Sequence, residues 1–198
     1  MVANAITILR SLLSFVVIAM LFHHTKNMYI AAFILTIVVI WMDGLDGFFA
    51  RLLNECSKFG ALLDILGDRI VENVYWISFA VLGWIPLWIP LVVMSRGMIT
   101  DALRSVAMEQ GYTAFGSETM MQSKIGKFIV TSNLCRFSYA VFKAIAFAFL
   151  ILANMPVEYE SKNIINLIAY GSTYFAVFFC VIRGIPVIIE SKRFFVSK

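Results

Sequence analysis

The chain has 198 residues, of which 61% are hydrophobic and only 14% charged, with a formal net charge of +4. That much apolar surface cannot be hidden in one soluble core of this size, so a water-soluble globule is excluded and part of the solvent must be lipid. Cys56, Cys135 and Cys180 are too widely spaced for a metal knuckle or a disulfide framework, and they read as small buried hydrophobes.

A bilayer crossing takes roughly 20 apolar residues. Six stretches qualify in a single domain covering residues 1–198, which predicts an all-α integral membrane protein with six transmembrane helices. The first runs over about 5–22 and carries Asn4, Thr7 and Arg10 at three-residue spacing, a polar stripe on an apolar helix. Arg10 either snorkels to the headgroups or helps to wall an active site. With no basic leader and no cleavage site after it, this stretch is expected to be an anchored span rather than a signal peptide. His23 and His24 follow as interfacial residues.

The second span, about 28–49, runs into Asp43 and Asp46, and Arg51 to Ser57 form a polar elbow. The third begins near Gly60, carries Asp64 and Asp68 in its first turns and ends near Gly83. Pro86 and Pro90 open the fourth, which reaches about Arg104 and contains Arg96 and Asp101. The polar connection from Arg104 to Lys127 has room for a short surface helix. The fifth span covers about 128–153 with Arg136 and Lys143 inside it, and the sixth about 164–189 with Arg183 near its end. Six crossings put both termini on one side, together with Arg51, Lys58, Arg104, Lys124, Lys127 and the basic tail. Lys26 and Lys162 fall opposite, so the bias places the termini and the polar active site at the cytoplasmic face.

Within this apolar chain, four aspartates gather in the 26 residues from Asp43 to Asp68. Asp43 and Asp46 are three apart, and Asp64 and Asp68 are four apart, so on helices each pair shares a face. Two such faces turned together would hold four carboxylates around one point. At a membrane boundary that cluster needs counter-charge, and a hard divalent cation with oxygen ligands, Mg²⁺ above all with Mn²⁺ as a substitute, supplies it. One carboxylate would then be left as a proton acceptor. No Gly-x4-Gly-Lys-Ser/Thr loop is present, which excludes the phosphate cradle of P-loop enzymes. A small ion-coupled transporter would spread polar residues along a path through both leaflets, often in repeated halves. Here the carboxylates keep to one end and no repeat is visible.

The spacing Asp43-x2-Asp46-Gly47-x2-Ala50-Arg51-x8-Gly60-x3-Asp64-x3-Asp68 resembles the signature of the CDP-alcohol phosphatidyltransferases at every defined position, and Asn4-x2-Thr7-x2-Arg10 is similar to the opening of that family's first helix. The resemblance implies attack of an alcohol on the lipid-side phosphate of CDP-diacylglycerol with release of CMP, and a homodimer in the bilayer. It implies that Asp43, Asp46, Asp64 and Asp68 hold one or two metal ions and that Asp68 serves as the base. It also implies that Thr7, Gly47, Ala50, Arg51 and Gly60 lie against the CDP-lipid. A nucleic-acid partner is not expected.

The acceptor must be read from the basic residues Arg96, Arg104, Lys124, Lys127, Arg136 and Arg183, which together suit a phosphorylated alcohol. Arg96 and Arg104, eight apart, point nearly the same way on one helix. The stretch from Ser95 to Gly111, with Gly126-Lys127, resembles phosphatidylglycerophosphate synthases, which makes glycerol 3-phosphate the expected acceptor. Inositol phosphate or another alcohol is the alternative. Asp64-Ile-Leu-Gly67-Asp68-Arg69 stands where those synthases often have Asp-Pro-Leu-Ala-Asp-Lys, and their Gly-Lys-x-Lys-Thr run is reduced to Gly126-Lys127-Phe-Ile-Val-Thr131.

Overall fold

A computed structural model describes residues 2–52, 57–109, 121, 123–157 and 160–192, and the side chains of 46–51 and 58 are outside that description. The regular structure of the described residues is all helical: α1 Val2–Leu21, α2 Lys26–Leu52, α3 Lys58–Val81, α4 Trp88–Glu109, α5 Lys124–Thr131, α6 Asn133–Ala153 and α7 Lys162–Ser191. Among the described residues, four segments are long and apolar enough to cross a membrane: Val2–Leu21, Lys26–Leu45, Asn133–Ala153 and Lys162–Ser191. The expected third and fourth spans exist as helices but fall short on composition. α3 carries Lys58, Asp64, Asp68, Arg69 and Glu72, and α4 carries Arg96, Asp101, Arg104 and Glu109.

Other boundaries also move. α2 continues through Arg51 and Leu52, where a polar elbow was expected, and α4 continues past Arg104 to Glu109. The expected fifth span is divided at Ser132, which caps α5 with φ −58° and ψ 129° and donates its N–H to Phe128 O. The run Thr131-Ser132-Asn133 explains the break, because three short polar side chains in succession compete for backbone hydrogen bonds. Two serines start helices: Ser57 Oγ accepts from Gly60 N at 2.9 Å, and Ser123 Oγ accepts from Gly126 N at 3.0 Å.

The chain forms two compact units. The first comprises Met1–Leu87 and Ala144–Tyr170, the second Trp88–Lys143 and Gly171–Lys198. In the first, α1 packs against α2 and α3. Its core is aromatic: Tyr75 stacks on Phe147 with ring centroids 4.6 Å apart, and Trp76 and Phe79 meet the same Phe147 edge-on. The buried Thr36 hydroxyl lies 2.9 Å from Tyr75 OH, so neither polar group is stranded. In the second unit, Phe142 lies between Phe175 and Phe179, and Ala107, Met121, Val130 and Val187 form a small core with Leu103 packed against it.

α1 shows why this protein suits lipid. Ala3, Thr7, Arg10, Ser14, Val17 and Leu21 are buried at alternating three- and four-residue steps, so the polar stripe lies on the inner seam. Ile8, Leu9, Leu12 and Phe15 are exposed on the outer face. A water-soluble helix has the opposite arrangement. Cys180 is buried as expected, Cys135 is half-buried, and Cys56 lies outside the described residues. His23 and His24 are exposed in the turn between α1 and α2.

Candidate active site

Three of the four aspartates converge as their spacing predicts. Asp43 on α2 and Asp64 and Asp68 on α3 all meet the guanidinium of Arg10 on α1. Nη1 pairs with Asp43 Oδ1, while Nη2 lies 2.9 Å from Asp68 Oδ1 and 3.8 Å from Asp64 Oδ1. The Arg10 side chain is 2% exposed, whereas its three partners are each about half exposed, at 54%, 52% and 51%. Arg10 therefore enters from the protein interior and the carboxylates open outward. Snorkelling to the headgroups, one of its two expected roles, is incompatible with that burial. Asp46 continues the same helix as Asp43, and its side chain is outside the described residues.

The neighbours of the cluster are small or polar. Thr7 is buried and donates to Ala3 O at 3.2 Å, and Ser11 Oγ donates to Thr7 O at 2.9 Å. Gly67 is where α3 meets α1: a Cβ there would fall 2.6 Å from Thr7 Cγ2 and 3.3 Å from Arg10 Nη2. Gly60 allows a second close approach, since a Cβ would come within 3.0 Å of Asn4 Oδ1. Gly47, Ala50 and Arg51 are on helical backbone in α2, with side chains outside the described residues.

Among the described residues no group of three His, Cys, Asp or Glu side chains is assembled as a metal-ligand set. The donor chemistry still fits a divalent cation, because three hard carboxylates from two helices already converge on one positive group.

The basic residues of the second unit gather around Tyr139, which is buried. The guanidinium carbons of Arg96 and Arg183 lie 5.6 and 5.8 Å from its ring centroid, and Lys143 Nζ lies 5.4 Å away. Arg96 is steered there by donating from Nε to Cys180 O at 3.0 Å. Gly184 makes the path, for a Cβ would stand 2.6 Å from Arg96 Cγ. Arg104 and Arg136 are within electrostatic reach of Arg183. Arg104 lies 3.9 Å from Asp101, and Arg136 donates to Asn133 Oδ1. Nε of Arg183 is buried and has no hydrogen-bond partner among the described residues. So many cations close together favour an anion.

Lys124 and Lys127, at the end of the expected polar connection, lie at the start of α5 and both are exposed. Tyr139 and Lys143 were not singled out as site residues, although Arg136, Tyr139 and Lys143 are spaced three and four apart and so share one helical face.

Residues 1–182 match the sequence profile of the CDP-alcohol phosphatidyltransferases. Over 156 residues the chain is 29% identical to the CDP-diacylglycerol–glycerol-3-phosphate 3-phosphatidyltransferase of Bacillus subtilis (strain 168), covering 79% of this chain and 70% of that protein. It is 30% identical over 103 residues to the protein of the same name from Mycoplasma pneumoniae, covering 52% of this chain and 45% of the relative. It is 30% identical over 114 residues to a putative cardiolipin synthase of Mycobacterium bovis, covering 57% of this chain and 53% of the relative. The chain thus spans about half the length of the latter two. The profile takes in α1 to α6 and most of α7, with the carboxylate cluster and, of the cations around Tyr139, Arg96 and Lys143, while Arg183 follows its last matched residue, and this chain belongs to the CDP-alcohol phosphatidyltransferase family.

Proposed function

We propose that this membrane enzyme transfers a phosphatidyl group from CDP-diacylglycerol to glycerol 3-phosphate and releases CMP. The observation that carries the acceptor is the gathering of Arg96, Arg183 and Lys143 on Tyr139, with Arg104 and Arg136 in reach. A dianionic phosphate satisfies such a group, and a neutral or zwitterionic alcohol does not need it. Two of the named relatives above carry glycerol 3-phosphate in their names, which supports the same choice.

In the reaction, a hydroxyl oxygen of the acceptor forms a bond to the lipid-side phosphorus. The bond from that phosphorus to the bridging oxygen breaks, and CMP leaves with the electron pair. Asp68 takes the proton from the attacking hydroxyl. Arg96 and Arg183 hold the acceptor phosphate by paired N–H donors, and Lys143 adds charge. Lys124 and Lys127, being exposed, have a lesser part in binding. Thr7 and Gly60, with Gly47, Ala50 and Arg51, form the surface against the nucleotide. Asp43, Asp46, Asp64 and Asp68 would hold Mg²⁺, or Mn²⁺ in its place, which supplies neutralisation of the diphosphate charge.

The finer membrane arrangement belongs to this proposal: six crossings, with α3 and α4 spanning despite their charges, the carboxylates facing the cytoplasm, and two copies paired. Support comes from the position of the charges of α3 and α4, which fall toward one end of each helix, and from the lysine and arginine bias.

Arg96→Lys and Arg183→Lys test the acceptor site, since each keeps charge and loses the fork. The KM for glycerol 3-phosphate should rise roughly tenfold, the worth of one charge-assisted hydrogen bond, while the KM for CDP-diacylglycerol stays put. An unchanged acceptor KM in both variants would make these residues anchors rather than ligands.

A further inference from the structure

The carboxylate cluster already contains a cation of its own, and that cation belongs to the chain. Arg10 is 1% exposed as a residue, lies on the inner seam of α1, and reaches Asp43, Asp64 and Asp68 from beneath. Burying an arginine in an apolar helix bundle is costly unless its charge is matched. Gathering three aspartates at a membrane boundary is costly for the same reason. Each group removes the other's penalty. Two features make room for this pairing. Gly67 lets α3 approach α1, since a Cβ would press on Thr7 and crowd Arg10 Nη2. The small Ser11 and Ser14 turn their hydroxyls back to α1 carbonyls and leave Arg10 the only long polar side chain on the buried seam.

We propose that Arg10 is a built-in counter-cation, which holds the cluster together without metal and lowers its affinity for a divalent ion. The inference rests on the reading of Asp43, Asp64 and Asp68 as metal ligands. A divalent ion held by these carboxylates would have to share them with the guanidinium, whose positive charge opposes its binding. The consequence is a site with modest affinity for the bare ion, which fills more readily when the diphosphate of the substrate brings further negative charge. Arg10 is a positioning residue here, acting through the carboxylates it holds.

The test uses purified full-length protein in detergent and Mn²⁺ alone, followed by electron paramagnetic resonance of free and bound ion, with thermal unfolding in EDTA alongside. Arg10→Gln should bind Mn²⁺ at least about tenfold more tightly than wild type. It should also unfold at a lower temperature in EDTA and regain stability when Mn²⁺ is added, whereas wild type responds little to either. Arg10→Lys keeps the charge and is the gentler change, so its Mn²⁺ affinity should stay near wild type. If Arg10→Gln does not fold, a second comparison decides: Gly67→Ala crowds the guanidinium away from Asp68 and should tighten Mn²⁺ binding as well. Equal or weaker Mn²⁺ binding in the variants, with normal binding in wild type, overturns the counter-cation and leaves the metal reading standing. Absence of Mn²⁺ binding in wild type and Arg10→Gln alike overturns both.

Discussion

At the scale of single residues, carboxylates that look alike in sequence are expected to do different work. Asp43 and Asp64 meet the guanidinium from two different helices and are expected to be ligands. Asp43→Asn and Asp64→Asn should lose metal binding and turnover together, because each removes a charged oxygen from a shared site. Asp68→Asn should differ in kind. With Asp43, Asp46 and Asp64 left to hold the metal, it should keep most of its binding of CDP-diacylglycerol in Mg²⁺ and lose transfer by roughly 10²–10⁴-fold, the usual cost of removing a general base. Nucleotide affinity and single-turnover rate measured on one preparation separate these cases, and near-normal turnover in Asp68→Asn removes the residue from the chemistry. The convergence of Asp43, Asp64 and Asp68 was legible because helical spacing fixes which side chains share a face. The partner of that face was not. Arg10 sits at a three-residue step from Thr7, which marks a polar stripe, but only the packing of α1 on α2 and α3 shows that the stripe ends on the aspartates. Tyr139 escaped for a related reason: an aromatic residue in an apolar helix looks like core until three cations are found around its ring.

At the scale of elements, small residues decide which helices can touch. Gly184 lies on α7 where the stem of Arg96 crosses, and the added methyl of Gly184→Ala would meet Arg96 Cγ at 2.6 Å. Either Arg96 moves off Cys180 O and away from Tyr139, or the helices part. Overpacking of this kind costs about 1–3 kcal/mol, so a lowered midpoint of thermal unfolding is expected together with a raised acceptor KM. A variant with wild-type stability and kinetics would show that Arg96 has slack there. Element boundaries were less legible than element existence. Among the described residues, seven helices stand where six spans and a short surface helix are expected, and the differences fall at polar runs. Thr131-Ser132-Asn133 ends one helix and starts another, while Arg51 and Leu52 stay helical where a polar elbow is expected. Hydropathy gives the length of an apolar stretch and is insensitive to a single capping serine within it.

At the scale of the whole molecule, the exposed surface is strongly apolar. α1 exposes Leu12 and Phe15 and buries Arg10, α2 exposes Ile34 and Trp41, and α7 exposes Phe175 and Phe178, all of which suit a lipid surround. The proposed topology puts Leu52 on the cytoplasmic side and Asn163 on the other. With the native cysteines replaced, a cysteine at Asn163 should be labelled by an impermeant reagent from outside sealed cells, and one at Leu52 should not. The same protein in mild detergent should have the mass of two chains. Labelling of both positions from outside would overturn the topology, and an active monomer would remove the pairing. Of the account as a whole, the class of chemistry was the most legible part, since eight fixed residues at fixed spacing leave little freedom. The acceptor was the least legible, because charge alone does not distinguish one phosphorylated alcohol from another. The most direct measurement is therefore a transfer assay with the purified protein, CDP-diacylglycerol and Mg²⁺, in which glycerol 3-phosphate, inositol phosphate, serine, free inositol and phosphatidylglycerol are offered separately. The account predicts CMP release with formation of phosphatidylglycerophosphate, and little product from the other four. Rapid transfer to an unphosphorylated alcohol or to phosphatidylglycerol, with glycerol 3-phosphate ignored, would contradict it.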